Sequence, residues 1–149
     1  MLPAPVLSPG ALVPLVGTAD FDTELARLLD TLTAEQLNDV ETACLRRQSA
    51  HFSERLVTAL RHRAREVLTA REAASRWPVI AVTFTTWDWD NGWFWCEYSA
   101  RARHMDGTVS TVDFDFDDVT EALADLAATD RPGRGDNLTV DLLTGDVTW

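Results

Sequence analysis

Alternating carboxylates are the residues whose types and spacing come nearest to a chemical site in this sequence. Residues 113–118 read DFDFDD, and on a strand Asp113, Asp115 and Asp117 point to one side at a spacing of about 7 Å. Carboxylates placed in this way can share a hard cation or act as a general acid–base pair. The segment lacks the glycine-bearing loop and terminal glutamate of an EF-hand, however, and Asp118 fits better as a helix cap. We therefore predict no metal site, no cofactor and no catalytic residue here.

Histidine and cysteine residues give no stronger signal for chemistry. His51, His62 and His104 lack the spacing of zinc ligands relative to either Cys44 or Cys96. The sequence also contains no P-loop, no dinucleotide-binding glycine pattern and no Gly-x-Ser-x-Gly motif. These patterns favour a binding protein over an enzyme, although a catalytic group assembled from distant segments stays open.

Aromatic residues are concentrated at 87–95, which reads WDWDNGWFW. Asn91-Gly92 at its centre is the strongest short-range signal for a β-hairpin. A two-residue loop at this position pairs Trp89 with Phe94 and predicts strands on either side.

A second turn, at residues 105–107, sets the register of the following strand. A three-residue loop with Gly107 in the left-handed region places Val112 beside Ala100. A two-residue loop shifts the strand by one residue and divides the aromatic residues between the two faces of the sheet. We choose the three-residue loop because it alone gives one continuous apolar face.

These two registers give the sheet one apolar face and one mixed face. The face predicted to lie under the helices carries Trp87, Trp89, Phe94, Cys96, Tyr98, Val112, Phe114 and Phe116. The other face combines two tryptophans and a phenylalanine with several carboxylates, and contiguous apolar patches rimmed by charge mark interaction sites. The predicted partner-binding residues are Phe84, Asp88, Trp93, Trp95, Asp113, Asp115 and Asp117.

Charge is distributed unevenly along the chain, whose net value is −11. Residues 46–76 contain eight arginines and three glutamates, whereas residues 86–149 contain fourteen acidic residues and four arginines. The overall excess of acid disfavours direct binding to nucleic acid or to an anionic membrane. It also leaves an alternative open, in which the basic N-terminal helices cover the mixed face and pair with its acids.

The remaining periodicities predict helices at 22–32, 33–48 and 53–75, a helix from Asp118, and a final hairpin from Leu138. Thr33 and Gln36 match a capping box, and so do Asp118 and Glu121. The positions predicted to face inward on the helices and the fourth strand are Leu37, Val40, Cys44, Leu56, Leu60, Ala64, Val67, Val119, Ala122, Leu123, Leu126, Leu138, Val140 and Leu142. The fold class is α+β: an antiparallel sheet (three-strand meander plus C-terminal hairpin) with an N-terminal helical section and one helix between strands three and four.

Length and composition suit a single globular domain. We predict an extended, proline-rich N-terminal arm over residues 1–19 and a single α+β domain over 20–149, helical at 20–76 and sheet-rich at 79–149. Two cysteines, no apolar run of membrane-spanning length and no basic leader favour a cytoplasmic location with reduced thiols.

Together these features favour a small acidic cytoplasmic binding or regulatory protein of bacterial or phage type. Its partner is expected to be another protein, with a basic or aromatic-accepting surface; the oligomeric state stays open. One alternative is a nucleic-acid mimic that inhibits a DNA-binding protein. Another is an enzyme that uses paired carboxylates, Asp113 with Asp115 or Asp88 with Asp90, with or without a divalent ion.

Overall fold

Three helices and five strands make up the computed structural model, which describes residues 16–72 and 78–149. The helices are α1 (Ala19–Leu29), α2 (Ala34–Glu72) and α3 (Asp117–Thr129), and the strands are β1 (Val79–Trp89), β2 (Gly92–His104), β3 (Val109–Val112), β4 (Asn137–Asp141) and β5 (Val147–Thr148). The strands form one antiparallel sheet in the order β3-β2-β1-β4-β5. The predicted α+β class is confirmed, including the helix between strands three and four. Most of the predicted arm at 1–19 and the end of the helix predicted to reach residue 75 lie outside the described residues.

The first of two compact units in the chain ends at Cys44 and contains α1 and the beginning of α2. The predicted capping box at its turn is confirmed: the Thr33 backbone N–H donates to Gln36 Oε1 at 2.9 Å, and the Gln36 N–H donates to Thr33 Oγ1 at 3.2 Å. The inward stripe predicted for Leu37, Val40 and Cys44 is wrong, because all three side chains are exposed. These side chains are exposed because the described part of this unit contains just one other helix, the short α1, that could cover them.

Helix α2 runs without a break over 39 residues, so the two separate helices predicted at 33–48 and 53–75 are wrong. The intervening residues 49–52, Ser-Ala-His-Phe, contain neither glycine nor proline. Nothing in this stretch therefore removes a helical hydrogen bond or forces the backbone out of helical geometry. Among the described residues, no helix combines the length and the apolar character that crossing a bilayer requires.

The second unit, Leu45–Trp149, has its core between one face of the sheet and two helices. Most of the predicted inward positions on α2, α3 and β4 are confirmed as buried: Leu56, Leu60, Ala64, Val119, Ala122, Leu123, Leu126, Leu138, Val140 and Leu142. Val67 is partly buried against this core. The opposite face of the sheet carries the exposed side chains of β1 and β2, so this unit has two layers.

Arginines of α2 make ion pairs with α3. Arg55 Nη1 lies 2.8 Å from Asp125 Oδ2, and Arg63 Nε lies 3.1 Å from Asp118 Oδ1. Hydrogen bonds to the Glu66 side chain and, to a smaller extent, to the Asp118 side chain raise the pKa of Arg63. The capping box predicted at Asp118 is wrong, because Phe116 occupies the N-cap position and makes no side-chain cap. Asp118 instead ties α3 to α2, which accounts for part of the basic charge of α2 without any acid from the sheet.

The hairpin between β2 and β3 has the predicted three-residue loop. Gly107 takes the left-handed conformation, with a φ angle of 85°, and Val112 lies opposite Ala100. This register is confirmed, and it depends on a residue without a side chain at the one position that needs positive φ.

The hairpin between β1 and β2 turns one residue earlier than predicted. Its loop consists of residues 90–91, so that Trp89 lies opposite Gly92 and not opposite Phe94. The pairing has slid by two residues along the partner strand. Because side chains alternate with a period of two, this slide leaves every side chain near the turn on the face to which it was assigned.

An irregularity farther along β2 does change the faces. Thr85 lies opposite Cys96 and Thr83 lies opposite Arg101, so residues 97–100 of β2 all correspond to Phe84 alone. Three additional residues stand in β2 at this point. An odd number of inserted residues exchanges the two faces of a strand, so β2 presents opposite faces before and after this bulge.

The bulge inverts the predicted choice between core face and open face. Val112 and Phe114 share the core with Phe84 and Trp95, whose side chains are 0% and 4% exposed. The predicted exposure of Phe84 and Trp95 is therefore wrong. The predicted burial is also wrong for three members of the apolar face: Trp87, Trp89 and Tyr98. The bulge places Val112 of β3 on the side of Phe84, and Phe114, which follows the end of β3, is buried in the same core.

Candidate partner-binding groove

A groove of about 300 Å³ lies on the open face of the β1–β2 hairpin. Its lining residues, which we call the hairpin groove, are Trp87, Trp89, Cys96, Glu97, Tyr98 and Ser99. The aromatic side chains of Trp87, Trp89 and Tyr98 are 60%, 56% and 53% exposed. Single exposed apolar residues are ordinary, but three large rings around one concavity form a contiguous patch of the kind found at interaction sites.

Strand geometry explains how these side chains come together. Trp87 and Trp89 stand two residues apart on β1, so they project from the same face about 7 Å from each other. Cys96 lies opposite Thr85 on the neighbouring strand, is buried, and lines the groove. Tyr98 stands within the bulge and completes the groove from the β2 side. The bulge that inverts the sheet is therefore also what forms this groove.

Arginine side chains of the protein cover other aromatic rings. The cation–π pairs are Arg55 with Phe52, Arg63 with Phe116, Arg131 with Phe94 and Arg134 with Trp93. Within residues 16–72 and 78–149, no arginine lies over the rings of Trp87, Trp89 or Tyr98 in this way, and no second ring stacks on them. As far as the described residues are concerned, the faces of these three rings are therefore available to a ligand.

Carboxylates surround Tyr98 on the open side of the groove. Asp115 is the largest cause of a raised pKa at the Tyr98 phenol, followed by Glu97, by partial burial and by Asp113. Each negative charge opposes formation of the phenolate. The Asp115 backbone N–H donates to Asp113 Oδ1 at 2.9 Å, which fixes these two aspartates relative to each other. The hairpin groove is thus aromatic within and negatively charged along one side.

Tyr98 is the single tyrosine of the chain, so its phenolate absorbance reports on the groove directly. We expect its pKa to lie above the ordinary value of about 10, and Asp115→Asn to lower it because the nearest negative charge is removed. Spectrophotometric pH titration measures both values. Asp136→Asn, a change of the same kind outside the groove, should leave the pKa unchanged. An equal shift in the two variants would contradict the proposed rim.

The same raised pKa predicts how stability depends on pH at the alkaline end. A phenol with a higher pKa in the folded chain stabilises the fold fully below the pKa of the unfolded chain. This contribution is lost as the pH rises through the pKa of the folded protein. Stability should therefore fall above about pH 10, and fall less in Asp115→Asn.

The residues predicted to bind a partner are dispersed by the fold. Phe84 and Trp95 lie in the core, whereas Trp93 is half-buried, with the Arg134 guanidinium 6.0 Å from its ring centre. Asp88 is exposed near the hairpin turn, and Asp117 is exposed at the first position of α3. The other two predicted residues, Asp113 and Asp115, are exposed and do not line the groove, but both are near enough to Tyr98 to raise its pKa.

The three rings of the groove, Trp87, Trp89 and Tyr98, are predicted by the sequence pattern to lie in the core, and this prediction is wrong. The bulge has no signal in the sequence, because Phe94, Cys96, Tyr98, Ala100 and Ala102 continue a single apolar phase through it.

Metal chemistry finds no support in the part of the chain that the structure describes. There, no group of three or more histidine, cysteine, aspartate or glutamate residues is placed to hold a metal ion. Asp113, Asp115 and Asp117 do not form such a group. The Asp113–Asp115 contact is accounted for as a local turn through the backbone N–H of the second residue.

Comparisons with known proteins add no relative. No protein-family model matches the chain, and neither the curated proteins nor the solved structures yielded a match. A function for the hairpin groove must therefore be argued from its own residues.

Proposed function

We propose that this protein binds another protein, and that the hairpin groove receives a basic side chain of that partner. One observation carries the proposal: three exposed rings lie near carboxylates, and no arginine of the described residues covers these rings. The proposal keeps the aromatic and acidic chemistry expected from the sequence. It replaces the predicted anchors Phe84 and Trp95 by the groove tryptophans, and it retains Asp113 and Asp115.

The two kinds of residue in the groove contribute in different ways. Tryptophan and tyrosine are the side chains most enriched among the dominant contacts of protein interfaces, because they bury a large area at a small entropic cost. Carboxylates at the rim accelerate the encounter with a basic partner and orient it. The combination suits a segment that carries both an apolar stem and a positive charge, which is the composition of a long basic side chain.

The direct test is a binding titration with a short labelled peptide in which lysine alternates with glycine. Its matched control has glutamate in place of every lysine. We expect saturable binding of the lysine peptide, seen in fluorescence anisotropy and in the tryptophan emission of the protein, and none of the glutamate peptide. Equal binding of both would contradict the proposal, and so would the absence of binding by every peptide that carries a lysine, modified or unmodified.

A second candidate function, mimicry of nucleic acid, is favoured by the exposed aspartates at 88, 113, 115 and 117. Such a protein would bind basic partners through charge alone, so its affinity would fall steeply with salt. Binding anchored by aromatic rings should persist in part at high salt. The lysine peptide at low and high ionic strength therefore distinguishes the two functions.

A further inference from the structure

We propose that the basic group received by the hairpin groove is a methylated ammonium, carried by a lysine side chain of the protein partner. This inference rests on the proposed function and specifies the chemistry of its ligand. It follows from three features of the groove: the number of free ring faces, the aromatic share of its lining, and the placement of negative charge.

Free ring faces favour a cation that sits against them. The faces of Trp87, Trp89 and Tyr98 carry the negative part of the ring quadrupole, and a cation near a ring centre is attracted by it, most strongly at tryptophan. Among the described residues, four other rings already have an arginine in this position. Rings that lack one, grouped around a single groove, form the arrangement that recognises quaternary ammonium groups.

Hydrogen bonding distinguishes between the possible cations. A guanidinium has five N–H donors and an unmodified lysine ammonium has three, and each donor that loses water needs an acceptor. The groove is lined by the rings of Trp87, Trp89 and Tyr98 and by the Cys96 thiol, and its lining acceptors are Glu97, Ser99 and the Tyr98 hydroxyl. A trimethylammonium group has no N–H and is more easily removed from water. It therefore fits an aromatic lining better than arginine or lysine does.

Charge complementarity supports the same ligand. Glu97 lines the groove, and Asp113 and Asp115 are close enough to raise the pKa of Tyr98. Two arginines near this part of the sheet are hydrogen-bonded to other residues: Arg101 Nη2 donates to Asn137 Oδ1 at 3.4 Å, and Arg131 Nη1 donates to the Asn91 carbonyl at 3.1 Å. A ligand in the groove thus meets the negative charge of Glu97, Asp113 and Asp115.

Size is compatible with a single side-chain head group. The volume of about 300 Å³ lies at the small end of ligand pockets in proteins. A groove of this size suits a methylated ammonium and its stem better than a large cofactor.

Peptides that differ at one central residue test the inference with the full-length protein. The residue is lysine, trimethyllysine, arginine, or a neutral analogue in which a tert-butyl carbon replaces the trimethylated nitrogen. We expect the trimethyllysine peptide to bind about tenfold more tightly than its neutral analogue, and more tightly than the lysine and arginine peptides. Saturation with trimethyllysine should also lower the pKa of Tyr98, and saturation with the neutral analogue should not.

Substitutions in the groove show whether the preference arises there. Trp87→Ala and Trp89→Ala should each remove most of the difference between trimethyllysine and its neutral analogue. Trp149→Ala, which deletes a partly exposed ring outside the groove, should preserve it. If the preference survives both groove variants, the groove is not its source and the inference fails.

The possible failures of this inference can be told apart from failure of the proposed function. Equal binding of trimethyllysine and the neutral analogue, or tighter binding of lysine or arginine, would overturn the inference while binding in the groove stands. Free choline binding as tightly as the trimethyllysine peptide would overturn the assignment to a protein side chain. Both proposals are wrong if nothing binds, whether one of these peptides, the lysine-glycine peptide or choline.

Discussion

Replacing Trp95 by alanine will lower the free energy of unfolding by about 3–5 kcal/mol, the range for deletion of a large aromatic side chain from a core. Its side chain is 4% exposed and belongs to the cluster that contains Phe84 and Phe114. Deletion of the ring leaves a cavity that the surrounding helices and strands can only partly fill. Urea unfolding followed by circular dichroism measures the loss.

Trp87→Ala is the matched control for this prediction, because it removes the same side chain from the same hairpin. Because Trp87 is 60% exposed, we expect its replacement to change the free energy of unfolding by no more than about 1 kcal/mol. The face assignment drawn from the sequence requires the reverse order, with the larger loss at Trp87. A larger loss of stability in Trp87→Ala than in Trp95→Ala would therefore contradict the structure, because it would mean that Trp87 lies on the covered face of the sheet and Trp95 on the open face.

The double substitution Trp87→Ala and Trp89→Ala should weaken binding of the lysine peptide by at least about a hundredfold, if each ring contributes the ~1.4 kcal/mol or more of a strong interface contact. The fold should be retained, since both rings are more than half exposed. Calorimetric titration gives the affinity, and the unfolding midpoint of the same sample reports the fold.

Two further variants separate loss of the rings from general damage to the surface. Trp149→Ala removes a partly exposed tryptophan outside the groove and should leave the affinity unchanged. Trp87→Phe keeps a smaller aromatic ring and should therefore retain part of the affinity. Undiminished binding by the double variant would remove the groove from the proposed function. A loss of equal size in Trp149→Ala would have the same consequence.

Local signals in the sequence were sufficient for much of the architecture. Gly107 alone can supply the positive φ of the second hairpin, and this fixed the register between Val112 and Ala100. The capping box of Thr33 and Gln36 is closed by atoms three residues apart. The apolar stripe of α3 needed only the helical period. Each of these features is decided by residues that are neighbours along the chain or across one turn.

The candidate site was predicted only in its chemistry. The sequence placed aromatic and acidic side chains in the β1–β2 hairpin, and Asp113 and Asp115 do lie near Tyr98 of the groove. It could not identify Trp87, Trp89 and Tyr98 as the exposed members. Within the first hairpin, either face could have been the covered one, because both carry tryptophan.

By itself the sequence determined the order of the strands, the helix between the third and fourth strands, the second turn, and which side chains of the first hairpin share a face. Only the tertiary structure decided that α2 is continuous and which face of the sheet is covered. Residues 97–100 opposite Phe84 reverse β2, so Val112 and Phe114 join Phe84 and Trp95, and α2 and α3 pack there. A bulge depends on how two strands accommodate each other and on what covers them. The free energy that selects the buried face comes from contacts between segments far apart in the chain.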